Sequence, residues 1–152
     1  MATYFPIFLD MKDKMVIVFG GGTIATRRTR VLLEFGAKVQ VIAPEISQEL
    51  KELSQNQNLT LEYRRYRPSE LQEIDLVLAV TDDETVNNTI FRECQHKNIL
   101  VNVSSDQEKC DFFFPGIVQE GDITVGVTAN GKNHKKAAEV TRKIKELLQE
   151  LK

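Results

Sequence analysis

Apolar positions along this chain come in short blocks that alternate between two periodicities. Met15 to Gly20 (M-V-I-V-F-G) is an unbroken apolar run ending in glycine, which predicts a strand buried on both faces. From Thr23 to Phe35 the apolar residues Ile24, Val31, Leu32 and Phe35 fall at helical spacings, and Gly36 closes that helix. Lys38 to Ala43 reads as a second strand, and Pro44 opens a helix predicted to run through Gln55. Leu59–Tyr63, Leu76–Val80 and Ile99–Val103 supply three further strands. Between them, Ser69 with Gln72 and Thr81 with Glu84 match capping boxes, the first for a short turn of helix and the second for a helix reaching Lys97. The rhythm then changes. Phe112–Val118 and Ile123–Thr128 are strand-like runs around Glu120-Gly121-Asp122, a hairpin signal. A tail from Asn133 to Leu151 places Ala137, Val140, Ile144, Leu147, Leu148 and Leu151 on one helical stripe.

Strands alternating with helices predict an α/β fold: a doubly wound parallel sheet with right-handed crossovers, then a C-terminal β-hairpin and a final helix. Ligands on such sheets sit at the carboxyl ends of the strands, near the point where strand order reverses. That expectation gathers Gly20–Gly22, Ala43–Glu45, Thr81–Asp83 and Asn102–Asp106 around one crevice. A length of 152 residues fits one domain, 1–152, and 41% hydrophobic residues suffice for a core. With 20 basic and 22 acidic side chains the chain lacks the positive balance of a nucleic-acid binder. No apolar run approaches the ~18 residues of a membrane helix, and no secretory signal opens the chain. Cys94 and Cys110 are too isolated for a disulfide framework or a resident metal site, so a reduced, cytoplasmic compartment is expected.

The chemistry starts at Gly20-Gly21-Gly22-Thr23-Ile24-Ala25, which reads G-x-G-x-x-A between a predicted strand and helix. This is the Rossmann-like pattern for a dinucleotide. The first glycine permits a tight turn, the second lets the backbone approach a pyrophosphate, and the small third position lets helix and strand pack closely. Free amides around Gly22, Thr23 and Ile24 then face the phosphates at the positive end of the helix dipole. No G-K-[ST] follows, which excludes a Walker A loop. The acidic residue that grips the adenosine ribose is expected ~20 residues on. Ala43 stands there, followed by Pro44 and Glu45. Glu45 either supplies that carboxylate from one position further out or complements the dipole of its own helix as a first-turn acid. No arginine follows to pair with a 2′-phosphate, so NAD is expected rather than NADP. Pro44, Glu45, Thr81, Asp82 and Asn102 join the glycine loop as candidate cofactor-binding positions.

Six segments then occur in order: Tyr4-Phe5-Pro6-Ile7-Phe8-Leu9; the glycine loop with Arg27-Arg28; Val41-Ile42-Ala43-Pro44-Glu45; Ala79-Val80-Thr81-Asp82-Asp83 with Val86-Asn87; Val101-Asn102-Val103; and Cys110-Asp111-Phe112-Phe113-Phe114-Pro115. This succession resembles the precorrin-2 dehydrogenase family, the NAD-binding module of siroheme synthases, from about Tyr4 to about Asn133. The resemblance implies NAD-dependent oxidation of precorrin-2 to sirohydrochlorin, in siroheme or cobalamin synthesis, with iron insertion into the product in some members. It also implies a functional aspartate three residues after the asparagine. Here that position is Ser105 and Asp106 follows it, so these two are the candidate catalytic positions. The displaced carboxylate argues against efficient iron insertion. Asp106 either reaches the same space or makes an Asx-turn.

Where the family has G-x-S-P, this chain has Gly131-Lys132-Asn133-His134, which keeps an N-cap residue at Asn133. His134 is either a proton acceptor near the crevice or an exposed first-turn residue. A macrocycle rimmed with carboxylates calls for local positive charge, which makes Lys132 and Lys135 the candidate substrate-binding residues, together with His134 and Phe113. Arg64–Arg67 reads as a solvated face and His96 as surface. The implied partner is precorrin-2, with no nucleic acid and no membrane. The family's further helical segment, which helps make the dimer and closes the substrate cleft, is expected to be missing after Lys152, so a homodimer is implied only where that segment is present. Two other functions fit the same motifs: an NAD(H)-sensing module without chemistry, and a bifunctional dehydrogenase–ferrochelatase.

Overall fold

Strand β1 (Met15–Phe19) lies at the centre of a five-stranded parallel sheet, which is why its apolar run has no polar face. In the computed structural model, which describes residues 3–152, β2 (Lys38–Ile42) and β3 (Leu59–Glu62) flank it on one side. On the other side lie β4 (Leu76–Ala79) and β5 (Leu100–Val103), giving the order β3-β2-β1-β4-β5. Strand order reverses between β1 and β4, as in a Rossmann half, and Phe19 pairs in register with both Ile42 and Ala79. The crossovers carry α1 (Thr23–Glu34), α2 (Gln48–Leu53) and α3 (Glu84–Lys97). Ile17, Phe19, Ile42, Val77, Ala79, Val101 and Val103 form one buried cluster with Leu71, Ile90 and Cys94. Tyr66 packs edge-on against Phe19, their ring centres 5.2 Å apart.

The chain divides into two compact units, Ile7–Phe112 with the parallel sheet, and Phe113–Lys152 with the residues up to Pro6. In the smaller unit, β6 (Gly116–Glu120) and β7 (Ile123–Val127) form an antiparallel hairpin turning at Gly121-Asp122. Helix α4 (His134–Glu150) follows, capped by Asn133, whose side chain accepts from Lys136 N at 2.9 Å. Its predicted stripe is only partly covered. Ala137, Ile144 and Leu148 are half-buried, while Val140, Leu147 and Leu151 are exposed. Phe112 to Pro115 is irregular rather than extended strand, and pairing begins at Gly116. No helix among the described residues is long and apolar enough to cross a membrane.

Several local expectations change in the larger unit. The buried face of α1 is Ala25, Thr26, Thr29, Leu32 and Leu33, while Ile24 stays 40% exposed. The Thr29 hydroxyl is fully buried without a partner. Thr29→Val keeps the shape and removes that orphan, so it should raise stability by about 1 kcal/mol in urea unfolding. A comparable loss would show instead that the hydroxyl is engaged.

Helix α2 starts at Gln48 rather than Pro44. Ser47 supplies the cap, accepting from Leu50 N at 3.2 Å, and Ala43 N still pairs with Glu62 O at 3.1 Å. Pro44 and Glu45 therefore lie in the bend before α2, and the first-turn acid is Glu49, not Glu45. Ser69 and Gln72 cap no helix. Ser69 has φ +66°, and its N–H donates to the Glu93 carboxylate on α3 at 3.2 Å. Asp83, not Thr81, caps α3, accepting from Thr85 N at 2.9 Å and Val86 N at 3.3 Å. Beyond β5 the chain returns along its outer edge: Asp111 N donates to Val101 O at 2.8 Å. Val101 N donates to Asp111 Oδ2 at 3.0 Å, so a carboxylate stands where a neighbouring strand's carbonyl would.

Candidate cofactor site

Three consecutive glycines join β1 to α1, and each is glycine for a different reason. Gly20 has φ +129°, and a Cβ there would lie 2.5 Å from Val80 O. At Gly21 a Cβ would lie 2.1 Å from Glu45 O and 2.9 Å from Ile46 Cα, because the bend after β2 rests directly on the loop. At Gly22 nothing of the protein lies within 4 Å of that position. Its φ of −91° and ψ of −156° are ordinary extended backbone. The fold therefore needs glycine at 20 and 21 but not at 22. The open face at Gly22 lies at the start of α1, which has no side-chain cap and no acid in its first turn. An anionic pyrophosphate fits that opening, where the dipole and unsatisfied amides are favourable. Ala25 is buried as the small third position of the pattern.

Two loops border this one. After β4, the buried Asn87 side chain locks the chain: Oδ1 accepts from Thr81 N at 3.2 Å and Thr81 Oγ1 at 2.7 Å, while Nδ2 donates to Thr81 O at 3.1 Å. Thr81 is thus held internally, and Asp82 beside it is exposed. Asn87 stands among the segments that carry the family resemblance but was not expected as a site residue, and it builds the site by holding Thr81. Its signal was available, since Asn87, Ile90 and Cys94 share the buried stripe of α3 and asparagine is out of place there.

At the end of β5, Asn102 is 3% exposed. Its Oδ1 accepts from Arg28 Nη1 at 2.6 Å, and its Nδ2 donates to Phe112 O at 2.8 Å. Asn102 therefore braces the region between α1 and the segment along β5. Burial and neighbouring Arg27 bring the Arg28 guanidinium down to about 10, so it remains cationic at neutral pH.

Ser105 is exposed in the loop that follows. Asp106 caps the 3-10 turn Gln107–Lys109, accepting from Glu108 N at 3.1 Å and pairing with Lys109 at 2.9 Å. Those contacts, Lys109 first, hold its carboxyl below the usual range and make it a weak base. Cys110 Sγ donates to Val103 O at 3.2 Å. Burial pushes both thiols up, Cys94 to about 12, so neither is a thiolate near neutrality.

Gly20, Gly22, Thr23, Ile24, Pro44, Glu45, Thr81, Asp82, Asn102, Ser105 and Asp106 all belong to the larger unit, Asn102 near the end of β5 and the others after the carboxyl ends of its strands. Lys132, His134, Lys135 and Phe113 belong to the smaller one. There Lys132 precedes the Asn133 cap, and His134 and Lys135 are exposed in the first turn of α4. Phe113 is half-buried, its ring centre 4.1 Å from that of Tyr4.

Comparison with known proteins agrees with this geometry. Residues 7–116 match the family described as "Putative NAD(P)-binding". The siroheme synthase of Photorhabdus laumondii subsp. laumondii is 38% identical over 145 residues, covering 95% of this chain and 31% of that protein. Siroheme synthase 1 of Serratia proteamaculans is 35% identical over 145 residues, covering 95% of this chain and 30% of that one. The chain thus spans about a third of the length of these relatives. Among solved structures, "SirC, precorrin-2 dehydrogenase" superposes with a TM-score of 0.75 at 27% identity, covering 98% of this chain and 71% of that one. With the Rossmann sheet, the glycine loop and the match across residues 7–116, the chain belongs to this NAD(P)-binding family.

Proposed function

We propose that this chain oxidises precorrin-2 to sirohydrochlorin with NAD. The observation that carries the reading is the open face at Gly22, present in a chain similar to SirC over 98% of its length. Gly20, Gly22, Thr23 and Ile24 hold the pyrophosphate, and Pro44 and Glu45 lie on the adenosine-ribose side. When bound, the dinucleotide supplies the hydride acceptor. Thr81, Asp82 and Asn102 border the site, Asn102 through its bonds to Arg28 and Phe112. The Glu45 carboxylate disfavours a 2′-phosphate, which selects NAD over NADP. Ser105 and Asp106 take the catalytic side. Because Asp106 is a weak base, the proton released with the hydride passes to water. Lys132, Lys135 and His134 hold carboxylate arms of the substrate, and Phe113 contacts the macrocycle. With the family's C-terminal helical segment present, the working form is a cytoplasmic homodimer.

Incubating the purified protein with NAD and enzymatically generated precorrin-2 tests this reading. Sirohydrochlorin and NADH should rise in equal amounts by absorbance, with NADP poorer by at least about tenfold in kcat/KM. Binding of NAD without turnover would overturn it and leave a sensing module.

A further inference from the structure

We infer that Thr26 and Ser47 are positioning residues for the dinucleotide, forming a hydroxyl relay that ties the ribose-side bend to the phosphate loop. The inference rests on the dinucleotide reading of Gly20–Gly22. The carbonyl of Gly22 accepts from Thr26 N at 3.0 Å and from Thr26 Oγ1 at 2.7 Å. Thr26 Oγ1 also lies 2.7 Å from Ser47 Oγ, which itself accepts from Leu50 N at 3.2 Å. Each hydroxyl carries one proton. With the Thr26 proton directed to Gly22, the Ser47 proton must bridge to Thr26, so the direction of the relay is fixed.

The same residue holds a second carbonyl, since Ser47 N donates to Gly21 O at 2.8 Å. Two successive carbonyls of the loop are thereby set from the residue that caps α2. In a planar trans peptide the N–H points opposite to the C=O. Fixing Gly22 O therefore also fixes the Thr23 N–H, a donor of the free first turn of α1. The missing Cβ at Gly21 lets Glu45 O and Ile46 Cα rest on the loop. Phosphate amides and the bend carrying Glu45 consequently move as one piece. Packing alone does not call for a hydroxyl at this buried position, where valine has nearly the same shape; once present, the Thr26 hydroxyl must be paired, and its partners are the phosphate loop and Ser47.

The test is calorimetric binding of NADH and NADPH to the wild type, Thr26→Val, Ser47→Ala, the double variant and Thr26→Ser. Thr26→Val and Ser47→Ala should each weaken NADH by about threefold to tenfold, the yield of one or two lost hydrogen bonds. NADPH should change less, so selectivity narrows. The double variant should be no weaker than Thr26→Val, since the relay runs through Thr26, and Thr26→Ser should stay near the wild type. Thr26→Val preserves shape, and Thr26→Ser preserves the hydroxyl, so at least one informative variant remains folded. NADH binding within twofold of the wild type in both single variants would overturn the relay. So would equal losses for NADH and NADPH, or a Thr26→Ser variant as weak as Thr26→Val. If the wild type binds neither cofactor, the dinucleotide reading falls and the relay with it.

Discussion

Gly22→Asp should fold normally and lose at least about a hundredfold in NAD affinity. The backbone there is compatible with any side chain, and the new Cβ meets no other part of the protein within 4 Å. A carboxylate placed beside a pyrophosphate meets repulsion of roughly 4 kcal/mol per pair of unit charges at 4 Å, with an effective dielectric of 20. Gly22→Ala should give a smaller loss from steric intrusion alone. The neighbours behave in the opposite way. Gly20→Ala sets a Cβ 2.5 Å from Val80 O at positive φ, and Gly21→Ala sets one 2.1 Å from Glu45 O, so both should melt far below the wild type. Calorimetry with NADH, paired with thermal melting of each variant, separates the two classes. A Gly22→Asp protein that binds NADH within fivefold of the wild type would refute the assignment of this loop.

The second large effect falls on stability. Glu93 is the hub of α3: its carboxylate accepts from the Tyr66 hydroxyl, from Ser69 N and Leu71 N at 3.2 Å, and pairs with Lys97 at 3.1 Å. Its side chain is only 11% exposed. Glu93→Ala strands those donors against the Phe19–Tyr66 contact and should cost about 3 kcal/mol in urea unfolding. Burial alone would raise the Glu93 carboxyl, but the bonds from Tyr66, Lys97, Leu71 and Ser69 outweigh it and hold the group below its ordinary value. A folded-state pKa below the unfolded one stabilises the protein above the unfolded value, ~4.3 for glutamate. That contribution is lost as pH falls through the folded value. Glu93→Gln should therefore flatten the acid limb of the stability profile, and an unchanged acid limb would show that other carboxylates govern it.

What could be read from the residues was what is decided locally or by periodicity. The apolar runs of β1 and β4 admit no alternative face, and the Asn133 cap and α4 follow from neighbours within a few positions. The errors lie where a distant group decides. Pro44 carries a valid helix-start signal, but Ser47 caps instead because the bend is seated on Gly21. Ser69 has a capping sequence, yet Glu93 from another helix takes its amide. The same division runs through the site. The turn glycine and the phosphate glycine were legible from strand–turn–helix context. That Gly21 serves packing against Glu45 and that Arg28 engages Asn102, 74 positions away, lie beyond the reach of any local pattern. Asn87 on the buried stripe of α3 was a local sign of a polar lock whose partner, Thr81, only the fold identifies.

The Asp111 carboxylate, set against Val101 on the outer edge of β5, has a bearing on how this protein can self-associate. Val101 and Val103 are the residues that would offer backbone groups to a guest strand. Asp111 takes both groups of Val101, and Asp106 N and Cys110 take the carbonyl of Val103. With three of these four groups engaged, strand addition is disfavoured at that margin. The other margin, β3, offers only the four residues Leu59–Glu62, a docking template too short to propagate a growing sheet.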